Sequence, residues 1–207
     1  EHFCVDQKEI KHKFRGFVLS LLDGFRVQSG KPRIGEKTPN NVFVFAHLHQ
    51  LFPDSPLLHI VRDGRDVVRS LLQQDWVTSN GSVMAITQDP RAAAAYWRKA
   101  VTAGRRAAQG SASLRRRYLE IRYEDLVTTP EPVIRRVLSH IGEPWAPEVL
   151  RFHEKKNPGV YAKVHRPISD ASVGKWKEGL TTEQKSVVKD VAGDLLIELG
   201  YAADRDW

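Results

Sequence analysis

A guanidinium and a hydroxyl eight positions apart, Arg62 and Ser70, carry the strongest chemical signal in this chain. They belong to Leu57-Leu58-His59-Ile60-Val61-Arg62-Asp63-Gly64-Arg65-Asp66-Val67-Val68-Arg69-Ser70, an apolar run that ends in arginine, turns at Gly64 and restarts as a helix. That layout suits capture of a phosphate monoester where a strand meets a helix. A guanidinium makes two parallel charge-assisted bonds to a phosphate, each contributing about 1.5–3 kcal/mol. The first turn of the helix adds N–H groups and the positive end of its dipole. Ser70 falls about two turns in, within reach of a phosphate lying along the helix face. The same residues also read as an exposed salt-bridge cluster of Arg62, Asp63, Arg65 and Asp66 with Ser70 at the surface. On this segment alone the two readings stand level.

The elements that must position these groups follow from periodicity and capping. Lys8 to Val27 is a predicted helix, with Ile10, Phe14, Phe17, Val18, Leu21, Leu22 and Phe25 recurring at steps of three and four. Gly30 and Pro32 end it. Arg33 to Lys37 is read as a short strand. Thr38 is read as an N-cap, with Pro39 opening a helix that runs to Pro53. Leu57 to Val61 is a strand whose near-continuous apolar character predicts burial on both faces. Asp63 caps the next helix, Asp66 adds charge to its first turn, and Val67, Val68, Leu71 and Leu72 form its core face.

Asp89-Pro90 starts an Ala-rich helix that reaches Gln109, with Gly110 at C′. Tyr118 to Ile121 is a further strand, Glu131 to Ile141 a helix stopped at Gly142, Asn157 to Asp170 a loop, and Thr181 to Leu199 a terminal helix. Strands separated by helices imply parallel pairing, so the expected fold class is α/β, a three-layer arrangement of a parallel open sheet with flanking helices. Ligands of such sheets sit beyond the carboxyl ends of the strands. Three expected strand ends deliver Lys37, Arg62 and Tyr123 to that rim, two cations and an aromatic suited to a phosphate-bearing nucleotide.

Bulk properties bound the alternatives. The 207 residues are 41% hydrophobic and 28% charged, which fits one globular domain over 1–207 with a substantial core. The net charge of +7 is scattered, apart from Arg115-Arg116-Arg117, which reads as a solvated helix-to-strand turn. That pattern argues against nucleic acid as a partner. Cys4 is the single cysteine, so no internal disulfide is available, and a cytoplasmic location is expected. No apolar stretch is long enough for a membrane span. His47 and His49 lie two apart on a predicted helix and diverge too far for a metal pair. His59 is read as a hydrogen-bonded core residue and Trp97 as a packing residue.

Four segments in order carry a family likeness: Gly35-Glu36-Lys37-Thr38-Pro39, the Arg62 to Ser70 segment, Ile121-Arg122-Tyr123-Glu124-Asp125-Leu126 and Val173-Gly174-Lys175-Trp176-Lys177. Together they resemble the sulfotransferases that use 3′-phosphoadenosine 5′-phosphosulfate (PAPS), in the bacterial-type branch with Glu-Lys-Thr-Pro. The resemblance covers roughly Arg33 to Leu199. It implies transfer of a sulfonate group from PAPS to a hydroxyl or amine, leaving adenosine 3′,5′-bisphosphate (PAP). It further implies that Arg62 and Ser70 bind the 3′-phosphate and that Tyr123 contacts the adenine. The loop from Ser169 to Trp176, with Ser172, Gly174, Lys175 and Trp176, would close over phosphate and purine. Lys37 would sit near the sulfonate and bridging oxygen, with Glu36 as a candidate general base.

The sequence departs from the family pattern in three places. The family opens with a strand, a Gly/Ser/Thr-rich loop and a helix that cradle the phosphosulfate. The chain starts at Glu1 without them, so that unit is expected either to lie upstream or to have been lost. Gly24 to Lys31 imitates a phosphate loop, but its spacing is one residue too long and Pro32 replaces the Ser or Thr. Pro39 stands where some members carry a catalytic histidine. Ser169, Asp170 and Ala171 replace the Arg-Lys-Gly of the animal enzymes. A non-catalytic nucleotide-binding or interaction domain derived from this fold is therefore the alternative, with a kinase-like phosphoryl transferase behind it. Small-molecule, carbohydrate, lipid and carrier-bound acceptors all remain open, as does the oligomeric state. The loop from Asp75 to Thr87 is expected to shape the acceptor pocket.

Overall fold

A computed structural model of the chain describes residues 6–154 and 166–207. The predicted loop from Asn157 lies outside the described residues as far as His165, as does Cys4.

Among the described residues the sheet has two parallel strands, β1 (Leu57–Val61) and β2 (Tyr118–Arg122), with Leu57 opposite Tyr118 and Val61 opposite Arg122. Between them the chain forms α3 (Gly64–Leu71), α4 (Pro90–Gly110) and α5 (Ala112–Arg117). Ahead of β1 lie α1 (Gln7–Gln28) and α2 (Phe45–Leu51). After β2 come α6 (Tyr123–Thr128), α7 (Pro130–Ile141), α8 (Trp176–Gly179) and α9 (Thr182–Glu198). The α/β class with a parallel sheet and flanking helices is thus the fold observed.

Local signals explain most element ends. The Asp63 carboxylate accepts from the Arg65 N–H at 2.9 Å and starts α3; Asp89 does the same for α4 with Arg91 and Ala92. Gly142, at φ 74°, ends α7 in the left-handed region that a side chain would strain. A reciprocal pair between Thr181 and Gln184 caps α9.

The main core lies against the lower face of β1. Val61, Val68, Leu71, Trp97, Val101, Trp176, Leu180, Val188 and Leu196 join β1, α3, α4, α8 and α9. A second cluster of Val42, Phe45, Leu57, Ala108 and Leu114 closes the opposite end. Between them His59 is buried, with Nδ1 2.6 Å from the Tyr118 hydroxyl, which itself donates to Glu120 at 2.8 Å. Burial pushes the His59 imidazole below its ordinary value, the nearby Glu120 charge partly opposing this. The expected core roles of His59 and Trp97 are observed.

Four expectations are corrected. Arg33–Lys37 is irregular rather than a strand, because Pro32 and Gly35 interrupt it and Arg33 instead donates to Ile141 O and Glu143. The segment after Thr38 begins as a 3-10 turn (Pro39–Val44) before α2, and the Thr38 hydroxyl donates to Glu36 instead of capping. β1 is buried on one face only: Leu57, His59 and Val61 point inward, while Ile60 on the other face is 53% exposed. The α1 stripe of Ile10, Phe14, Phe17, Leu21 and Phe25 is exposed, since no described element covers it. Arg115–Arg117 also lie within a short helix, α5, where Arg115 donates to Ala108 O and Gln109 O.

Candidate functional site

At the carboxyl end of β1 the chain leaves the sheet through Arg62. Its main-chain oxygen accepts from the Trp97 indole N–H at 3.0 Å, so α4 fixes the strand's exit. The adjacent residue, Tyr96, donates its hydroxyl to Asn40 at 2.8 Å. Successive residues of α4 therefore anchor Arg62 and the segment that follows Lys37.

The Arg62 guanidinium lies 4.6 Å over the Tyr123 ring. One of its N–H groups donates to the Ser172 carbonyl, and it sits 3.8 Å from the Asp66 carboxylate. Its Nε is buried and has no hydrogen-bond partner among the described residues. A guanidinium has five donors, and an unmatched buried donor costs about 1–3 kcal/mol unless a ligand takes it. That orphaned N–H is the observation that fits an anionic group here.

Asp66 is 1% exposed and accepts from two main-chain donors, Gly174 N–H at 2.8 Å and Trp176 N–H at 2.9 Å. A buried carboxylate needs such partners. In meeting that need, Asp66 ties the Gly174–Trp176 loop to the first turn of α3. Gly174 adopts φ 72°, the left-handed conformation in which glycine is unstrained, and this turns the chain so that both N–H groups aim at one carboxylate. Ser70 lies one turn beyond Asp66 on the same face of α3, since residues four apart on a helix are neighbours.

The structure thus gathers Arg62, Tyr123, the Ser172 carbonyl, Gly174 and Trp176 into one cluster, with Ser70 on the face of α3 that supports it. Lys175 is exposed on the same loop. Lys37 and Glu36 are not part of that cluster. Both are exposed, and Glu36 accepts from the Thr38 hydroxyl and the Asn41 amide. Lys37 does not leave a strand end, so two strand ends, not three, form the rim.

Sequence reasoning missed several supporting residues. Glu124, inside the Tyr-Glu-Asp motif, accepts from the Asp63 N–H at 2.9 Å and bonds the Tyr201 hydroxyl at 3.1 Å, linking the exits of the two strands. Burial, reinforced by the Glu124 charge, pushes the Tyr201 phenol above its ordinary value and keeps it a neutral donor. Arg65 makes a paired contact with Asp63, its Nη2 at 2.7 Å from Oδ2, and its guanidinium lies 4.0 Å over Trp176. Asp66 was visible only as first-turn charge. Its actual partners lie 108 and 110 positions away and leave no local signal. Among the described residues, no group of His, Cys, Asp and Glu is placed to hold a metal ion, and His47 is exposed while His49 is buried.

A strand exit, an arginine poised at it and a glycine loop pinned across it mark the candidate site of this α/β protein. The model of the Sulfotransferase family matches residues 5–147, more than half of the chain, and the chain belongs to that family. The nodulation protein NoeE of Sinorhizobium fredii (strain NBRC 101917 / NGR234) is 28% identical over 207 residues, covering 90% of this chain and 49% of that protein. A protein-tyrosine sulfotransferase of Drosophila melanogaster is 28% identical over 182 residues, covering 82% of this chain and 35% of that protein. The sulfotransferase domain from the curacin biosynthetic pathway shares the fold, with a TM-score of 0.60 at 21% identity, over 84% of this chain and 66% of that one. The chain spans between 20% and 56% of the length of the curated relatives it matches.

Proposed function

We propose that this chain provides the 3′-phosphate and adenine side of a PAPS-dependent sulfotransferase. The single observation that carries the reading is the buried, unmatched Nε of Arg62 at the rim of the sheet, beside the Tyr123 ring. In this reading Arg62 and Ser70 hold the 3′-phosphate, and Tyr123 supports the purine. Ser172, Gly174, Lys175 and Trp176 form the loop that closes over both. Asp66 does not repel the phosphate, because two main-chain N–H groups and Arg62 already balance its charge.

In the transfer itself, the acceptor oxygen or nitrogen forms a bond to sulfur while the bond from sulfur to the bridging phosphate oxygen breaks. The acceptor gives up a proton, and negative charge grows on the leaving PAP. A fixed cation near that oxygen lowers the barrier, which is the role assigned to Lys37. Glu36 is the candidate base within this chain, and it already accepts from the Thr38 hydroxyl and the Asn41 amide. The same two bonds favour the alternative of a non-catalytic nucleotide-binding domain, in which Glu36 only orders the turn.

The strand–loop–helix that would grip the phosphosulfate is proposed to pack on the apolar surfaces left open here, Leu58 and Ile60 of β1 and the α1 stripe. The acceptor is proposed to meet the loop from Asp75 to Thr87, where a Val77–Val83 bridge displays Trp76, Val77 and Val83. Its class, whether small molecule, carbohydrate, lipid or carrier-bound, is left to assay. Among the described residues no helix is long and apolar enough to cross a membrane. The single cysteine suits the proposed cytoplasmic setting.

Calorimetric titration of the full-length protein with PAP tests the proposal. Saturable binding that weakens when the 3′-phosphate is omitted is expected. Indifference to that phosphate, or no binding by folded protein, would overturn it.

A further inference from the structure

Beyond the loop itself, the segment from Leu199 to Trp207 folds back over the site. Its start is held by Arg122, which donates to Leu199 O at 2.7 Å and stacks 4.1 Å over the Tyr201 ring. Arg65 donates to Tyr201 O. The Trp207 ring then meets the Trp176 ring edge to face, 5.5 Å between centroids and 80° between planes. Arg65 lies against both rings, 4.0 Å from Trp176 and 4.7 Å from Trp207. Its own guanidinium is immobilised by Asp63, and its side chain is 6% exposed.

Trp176 is also the residue whose N–H bonds Asp66. Holding its ring therefore holds one of the two bonds that dock the loop. A cavity of about 570 Å³ separates the segment from the loop and α3, lined in part by Asp66, Glu124, Gly174, Lys177 and Asp204. Leu199, Tyr201 and Ala202 pack on the main core, and Trp207 supplies the segment's aromatic contact with Trp176. The Trp207 indole N–H is buried without a partner among the described residues, so the ring serves by its face and edge and not by its donor. Cation–π and edge-to-face contacts need an aromatic ring of adequate size, which phenylalanine also supplies.

We propose that Trp207, packed on Arg65 and Trp176, is a positioning residue that holds the Gly174–Trp176 loop in the form that receives the 3′-phosphate. The inference rests on the nucleotide reading of that loop. Its predicted consequence is specific: loss of the ring loosens the loop and weakens ligands that carry a 3′-phosphate, and spares those that lack one.

The test uses full-length wild type, Trp207→Ala and Trp207→Phe. Hydrogen exchange in the ligand-free proteins reads the amides of Gly174 and Trp176 against those of Val188 and Leu196 in α9. Titration with PAP and with adenosine 5′-monophosphate reads the site. Trp207→Ala is expected to speed exchange at Gly174 and Trp176 about tenfold, leave Val188 and Leu196 unchanged, and raise the Kd for PAP about tenfold with no change for the monophosphate. Trp207→Phe is expected to behave as wild type. Unchanged exchange at the two loop amides, equal acceleration throughout α9, an unchanged PAP affinity in Trp207→Ala, or a Phe variant as impaired as Ala would each overturn the proposal. If wild type binds no PAP, the nucleotide reading fails, while the exchange arm still decides whether Trp207 orders the loop.

Discussion

Replacement of Arg62 by alanine removes the group on which the nucleotide reading turns. One of its five donors is spent on the Ser172 carbonyl, and Nε–H is unmatched. A 3′-phosphate taking Nε–H and one neighbouring N–H would gain two charge-assisted bonds of about 1.5–3 kcal/mol each. The side chain is 22% exposed, so the lower end applies, about 3 kcal/mol for the pair. That corresponds to roughly 150-fold in Kd. Calorimetry with PAP should show Arg62→Ala weakened by about two orders of magnitude, with affinity for adenosine 5′-monophosphate little changed. Arg62→Lys should fall between, because an ammonium keeps the charge and loses the fork. Thermal melts of ligand-free protein check the fold, which Asp66 helps preserve through its two main-chain bonds. Equal PAP affinity for wild type and Arg62→Ala, with both folded, would refute the reasoning.

Three further outcomes follow from the packing. Asp66→Asn leaves an amide facing two N–H donors with one oxygen, so urea unfolding should show a loss of about 2–4 kcal/mol; an unchanged midpoint would contradict the docking role of the carboxylate. Gly64→Ala would bring a methyl to 2.6 Å from the Trp97 ring and should cost about 1–3 kcal/mol by the same measurement, with full stability as the contrary result. Burial holds the His59 pKa below its ordinary value of 6.5, so the unfolded chain takes up a proton before the native one does. The His59 contribution is therefore complete above about pH 6.5 and is lost as pH falls toward the native value. Urea titrations at pH 7.5 and 5.5 (about one unit either side of the ordinary value) should show a smaller pH dependence in His59→Gln than in wild type. Identical slopes would place the titration elsewhere.

The parts of the fold legible in the sequence are those specified by near neighbours. Asp63 ahead of Gly64, Asp89 ahead of Pro90, Gly142 after Ile141 and Thr181 with Gln184 mark element ends through bonds spanning a few residues. The Arg62 exit was readable for the same reason, since an apolar strand and a capped helix frame it. What could not be read is tertiary. Whether the α1 stripe is covered depends on what packs against it, and periodicity reports only that one face is apolar. The alternation along β1 was hidden because Leu58 and Ile60 are as apolar as their buried neighbours. Asp66 and Trp207 act through partners in distant segments, and nothing adjacent to either residue announces the contact. Lys37 and Glu36 were matched to the family by sequence likeness, and the structure adds only that Glu36 orders the turn ahead of α2.

The central claim, that the rim formed by Arg62, Ser70 and the Gly174–Trp176 loop holds a nucleotide 3′-phosphate, is met most directly by a crystal structure of the full-length protein with PAP. Phosphate oxygens about 3 Å from Arg62 Nε and Ser70 Oγ, with the purine against Tyr123, are the result expected. A nucleotide bound elsewhere, with Arg62 Nε still unmatched, would contradict it.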